Sequence, residues 1–141
     1  MLSNPFDRRF RTITLSLLAA CAASALAAGI VGISDNPPGI ALAFLAAGAF
    51  VAAFVHPWRS VRPFAVLLGI TVGSFVVLVL VHNFGEALAT LARTPTLLRV
   101  PLNGVSVVAF LLAVLICPPT LVVSLLGLLI MSVRKLALRG H

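Results

Sequence analysis

The side chains of this chain best suited to chemistry are few and widely spaced: His56 and His82, the acids Asp35 and Glu86, and the cysteines Cys21 and Cys117. Imidazole is the commonest metal ligand and changes charge nearest neutral pH, so the two histidines raise metal, haem and proton-handling chemistry. Asp35, Asn36, His82, Asn83 and Glu86 form the densest polar grouping, because a chain folded into antiparallel helices carries all five to connections at one end. A hydrogen bond from His82 to Asp35 would orient the ring and create a proton-handling or cation-attracting site. The preferred alternative is structural: Asp35-Asn36-Pro37-Pro38 shapes a tight turn, and Asp35 or Asn36 caps the helix that follows. Cys21 and Cys117 both lie well inside apolar runs, where a cysteine acts as a small apolar residue. The absence of any CxxC pair argues against thiol–disulfide exchange.

The sequence holds no Gly-rich phosphate loop, no HExxH, no GxSxG and no paired carboxylates, so no catalytic residues are expected and the chain reads as a non-enzyme. No metal site and no cofactor are expected either, because His56 and His82 fall at opposite edges of the membrane in the topology below and cannot share one ligand.

These residues must be positioned by membrane helices. Of 141 residues, 61% are hydrophobic and 9% charged, against about 25% charged in an average soluble domain. Such a composition excludes both an ordinary soluble globule and an intrinsically disordered chain. Four apolar runs, from Ile13 to Ile33, Ile40 to His56, Phe64 to His82 and Val105 to Val133, are each close to or beyond the length that crosses a hydrocarbon core of about 30 Å. None contains Asp, Glu, Lys or Arg, which argues against proton-coupled transport, since that usually keeps an ionisable group within the membrane. Leu18-Ala19-Ala20-Cys21 resembles the lipobox of bacterial lipoproteins, but the apolar run continues unbroken past it, so a retained span is expected.

In the third connection, Phe84, Leu88 and Leu91 at steps of four and three predict a short amphipathic helix over 84–93 lying on the membrane surface. The last run would measure about 43 Å as a straight helix, and Pro118 and Pro119 at its middle predict a kink. Small residues four apart mark expected helix interfaces: Ala25 and Gly29, Gly48 and Ala52, Gly69 and Gly73, Ala109 and Ala113. The GxxxG pair Gly69 and Gly73 is assigned to packing within the chain, with pairing between chains as the lesser alternative. The fold expected is an all-α membrane protein: a four-transmembrane-helix antiparallel bundle with a short interfacial helix in the third connection, forming a single membrane domain over 1–141.

The formal net charge is +7. Three basic residues precede the first run, none lies in the first connection, two lie in the second, two in the third and three in the tail, so cytoplasmic termini put eight inside and two outside. That asymmetry predicts a multi-pass protein of the cytoplasmic (inner) membrane with both termini cytoplasmic, its basic residues facing anionic lipid headgroups. Nucleic-acid binding is not expected, because the cations are dispersed among short loops.

Four segments carry a family resemblance: Gly32-Ile33-Ser34-Asp35-Asn36-Pro37-Pro38-Gly39-Ile40, His56-Pro57-Trp58-Arg59, Leu80-Val81-His82-Asn83 and Ile116-Cys117-Pro118-Pro119. Over Gly29 to about Val133 the chain resembles small four-span membrane proteins of bacteria and archaea to which no activity is assigned. The resemblance implies the four-helix architecture and draws attention to those polar positions, without supplying an activity. Sparse polar chemistry beside plentiful small-residue packing points to a non-enzymatic interaction or accessory subunit, with a membrane protein partner or a homo-oligomer as its context. The alternative is a passive conduit or a small-ligand or ion-binding protein using Asp35 and His82.

Overall fold

The computed structural model describes residues 5–91 and 96–138, with side chains from Arg8 to Leu91 and from Leu97 to Leu138. All regular structure among them is helical: α1 (Pro5–Val31), α2 (Pro37–Val55), α3 (Val61–Thr90), α4 (Thr96–Leu111) and α5 (Cys117–Ala137), with a π turn, Leu112–Ile116, joining α4 to α5. Helices are the expected answer to this composition, since a chain in lipid has no water to satisfy its backbone and must bond it internally. Four stretches, Arg8–Val31, Pro37–Val55, Val61–Thr90 and Leu97–Ala137, are long and apolar enough to cross a membrane. The protein is an all-α, four-span membrane bundle.

Two boundaries differ from the sequence expectation. The segment 84–93 does not form a separate surface helix: to Thr90 it is the end of α3, and 92–95 lie outside the described residues. Nothing between Val81 and Thr90 breaks the helical ladder, so the polar residues there extend the span, and α3 reaches about 45 Å. The last span starts at Thr96 instead of Val105, with Pro101 inside α4; membrane helices tolerate an internal proline where neighbouring helices and local adjustment re-satisfy the freed backbone groups.

Pro118 and Pro119, the expected site of a kink, fall where the helix changes type. They occupy the first turn of α5 directly after the π turn, where the Cys117 amide bonds back to the Leu112 carbonyl. A π turn holds more residues per turn than an α-helix, so it shifts the face that α5 presents relative to α4 within the unbroken helical stretch Leu97–Ala137. Thus α4 packs on α3, whereas α5 packs on both α3 and α2.

The helices associate in the order α1, α2, α5, α3, and α1 packs among the described helices only on α2. Contact follows small residues, as expected where lipid is as apolar as leucine and only close approach gains energy. A Cβ on Gly127 of α5 would overlap the Phe64 ring of α3, one on Gly85 of α3 would come within 3.1 Å of the Ser106 Cβ of α4, and one on Gly39 of α2 would overlap the Gly32 carbonyl at the α1–α2 turn. Ala109 and Ala113 are buried as expected. In the first span, Ser24 and Ala28 are buried while Ala25 and Gly29 are exposed.

Gly69 and Gly73 do not pack within the chain. Both are exposed, and a Cβ on either would meet nothing within 4 Å. The inward face of α3 carries Phe64, Thr71, Gly85 and Ala89. Thr71 is two residues from each glycine, about 200° around the helix, so burying it turns both outward.

Three buried hydroxyls bond back to the helical ladder one turn before them. Thr71 donates to the Leu67 carbonyl at 2.8 Å, Thr120 to Ile116 at 2.7 Å and Ser124 to Thr120 at 2.6 Å. These bonds leave no polar track along the bundle from those three groups.

Candidate functional site

Of the five polar residues expected to cluster, His82 and Glu86 approach to 3.9 Å, and the other three make no hydrogen bond to them. Asp35 is exposed in the α1–α2 turn, with φ of 52°, and has no hydrogen-bond or ion-pair partner among the described residues. Asn36 occupies the N-cap position of α2, but its side chain bonds backwards, donating from Nδ2 to the Val31 carbonyl at 2.9 Å and closing the end of α1. Asn83 turns onto its own helix, donating to the Val79 carbonyl at 2.7 Å. The expected bond from His82 to Asp35 is not formed, and the turn-shaping alternative accounts for Asp35 and Asn36.

His82 engages α4 instead. Its Nδ1 lies 2.9 Å from the Ser106 hydroxyl and 3.1 Å from the Ser106 carbonyl, while the Ser106 hydroxyl donates to the His82 carbonyl at 3.0 Å. A carbonyl can only accept, and the serine proton is already committed, so Nδ1 carries the hydrogen and both Ser106 oxygens receive it. Nε2 faces the Glu86 carboxylate at 3.9 Å, one helical turn away and beyond hydrogen-bond length. The Phe110 ring lies 5.0 Å from the imidazole.

Serine, histidine and a carboxylate in a row invite comparison with a hydrolytic triad. The geometry opposes it. Ser106 is 1% exposed, and its proton points at a backbone oxygen instead of at the imidazole. The arrangement is a polar clamp between α3 and α4. The sequence expectation pairs His82 with Asp35 across the connections; Ser106 meets it instead because the two lie at matching depth on α3 and α4.

No family model, curated protein or solved structure matches the chain. Its chemistry must therefore be read from the residues.

At the opposite end, α1 begins, α2 ends, α3 begins and α5 ends, and their basic residues converge. Arg9, His56, Arg59 and Arg134 line one cavity of about 470 Å³ with Phe10 and Ile13. An adjoining cavity of about 740 Å³ shares Arg59 and Arg134 and adds Arg62 and Lys135. His56 follows the last turn of α2, where its Nδ1 contacts the Ala53 carbonyl at 3.0 Å, so this nitrogen bears the hydrogen and caps the helix end. Phe10 of α1 lies against the ring at 4.5 Å. Nε2 is buried without a hydrogen-bond partner. Trp58 packs edge-on against Phe64 at 5.2 Å, anchoring the same end.

About 30 Å of helix axis separates His82 from the start of α3 beside His56. Among the described residues, no three His, Cys, Asp or Glu side chains come together as a metal site. The charge count puts eight of the ten basic residues on one side of the membrane; the meeting of Arg9, Arg59 and Arg134 in one cavity depends on how α1 and α5 flank α2.

Proposed function

We propose that this protein is a non-enzymatic accessory or interaction subunit of the cytoplasmic membrane, with both termini on the cytoplasmic side and its basic end among anionic headgroups. One observation carries the reading: the hydroxyls and the imidazole in the middle and far end of the bundle are spent on helix backbones and on a helix–helix contact. His82 and Ser106 clamp α3 to α4, and Thr71, Thr120 and Ser124 bond their own backbones. A bundle of this kind holds shape and presents apolar faces, among them the outward side of α3, where Gly69 and Gly73 leave room for close approach by another helix. The reading is further supported by His82 bonding to Ser106 and not to Asp35, since the conduit or ion-binding alternative rests on the pairing of His82 with Asp35.

Gentle detergent extraction from native membranes, followed by mass spectrometry and an absorption spectrum, tests the proposal. A partner or second copy recovered at fixed stoichiometry supports it. A purely monomeric protein, or a Soret band, refutes it.

A further inference from the structure

We propose that the cavity between α1, α2 and α5 at the basic end binds the headgroup of an anionic phospholipid whose phosphodiester bears a free hydroxyl, of the phosphatidylglycerol type. The cavity presents three guanidinium groups, from Arg9, Arg59 and Arg134, and an apolar wall of Phe10 and Ile13. None of the three arginines has an ion-pair partner among the described residues, and Asp35 and Glu86 are at the far end. Asp7, whose side chain lies outside the described residues, is the one acid close in sequence, and it cannot neutralise three cations. Guanidinium forks match phosphate oxygens in geometry as well as charge, and basic pockets between membrane helices are suited to anionic headgroups.

His56 supplies the selectivity. With Nδ1–H committed to the Ala53 carbonyl, Nε2 of the neutral ring is a buried acceptor lacking a donor. A headgroup hydroxyl provides that donor without adding charge. The ammonium of an ethanolamine or serine headgroup could also donate, but three nearby guanidiniums repel it. The apolar wall favours a lipid over a free phosphate ester, because the glycerol and upper acyl chains continue onto Phe10 and Ile13. The bound headgroup bridges α1, which otherwise packs only on α2, to α5. This inference rests on the proposed orientation only for which leaflet supplies the lipid; binding in detergent is independent of it and of any partner.

The test is native mass spectrometry of the purified chain in detergent with four probes: phosphatidylglycerol, phosphatidylmethanol (the same charge without a hydroxyl), phosphatidylethanolamine and free glycerol 3-phosphate. Phosphatidylglycerol is expected to be retained best, and Arg9→Gln, Arg59→Gln and Arg134→Gln each to weaken it about fivefold, while Arg99→Gln at the far end changes nothing. His56→Phe keeps the ring against Phe10 and should erase the preference for phosphatidylglycerol over phosphatidylmethanol while leaving phosphatidylethanolamine disfavoured. Equal retention of phosphatidylglycerol and phosphatidylethanolamine, or equal loss with Arg99→Gln, overturns the site. Equal retention of phosphatidylmethanol overturns the role of His56, and glycerol 3-phosphate binding as tightly as the lipid overturns the lipid assignment.

Discussion

Ser106 and His82 grip each other twice: the serine hydroxyl donates to the histidine carbonyl at 3.0 Å, and the imidazole Nδ1–H donates back to the serine. Each residue thereby satisfies a polar group of the other inside an apolar bundle, and Gly85, one turn along α3, lets Ser106 come this close. The pair that could pass for chemistry is a fastener.

Ser106→Ala removes the hydroxyl but leaves Nδ1 its bond to the Ser106 carbonyl. The expected loss is about 0.5–2 kcal/mol, the range of single interhelical hydrogen bonds in membranes. Equilibrium unfolding in mixed micelles measures it. Stability equal to wild type would show that the clamp is decorative.

Gly127→Ala drives a methyl group into the Phe64 ring and should destabilise the bundle by about 1–3 kcal/mol. Gly69→Ala and Gly73→Ala, in open space, should cost nothing and gain a little from helix propensity. Adding Phe64→Leu should recover part of the Gly127→Ala loss. A Gly69 variant that melts like the Gly127 variant would contradict the orientation of α3.

The α1–α2 turn offers an opposed pair. Asp35 sits in the left-handed region at φ 52°, so Asp35→Gly should preserve or raise stability and Asp35→Val should lower it by about 1–2 kcal/mol. Gly39→Ala confronts the Gly32 backbone, which cannot swing aside, and should be worse than either. Thermal aggregation midpoints of the three purified variants give the ranking; Gly39→Ala ranking mildest would disprove the close approach.

Topology is checked with reporter fusions. A periplasmically active reporter should work when fused after Ile33 and fail after His141, because eight of ten basic residues then remain cytoplasmic. The reverse pattern would invert the protein and move the arginine cavity to the outer leaflet.

The number of spans, their helical nature and the turn at Asp35-Asn36-Pro37-Pro38 were legible from residue types alone. Apolar length is a local sum, and lipid leaves the backbone one economical solution. The ends of helices were less legible: α3 runs on to Thr90 through His82, Asn83 and Glu86, since polar residues close to a membrane surface need not stop a helix.

Which face of each helix turns inward was decided only in three dimensions. In a soluble protein the buried face stands out as apolar against a polar one, but here both faces are apolar and the pattern carries little contrast. Gly69 and Gly73 had the more familiar spacing, yet Gly85 and Gly127 do the packing, because only the shapes of Ser106 and Phe64 opposite them determine where a missing side chain is needed. For the same reason His82 met Ser106 and not Asp35, and Arg9 and Arg134, remote in sequence, came to flank His56.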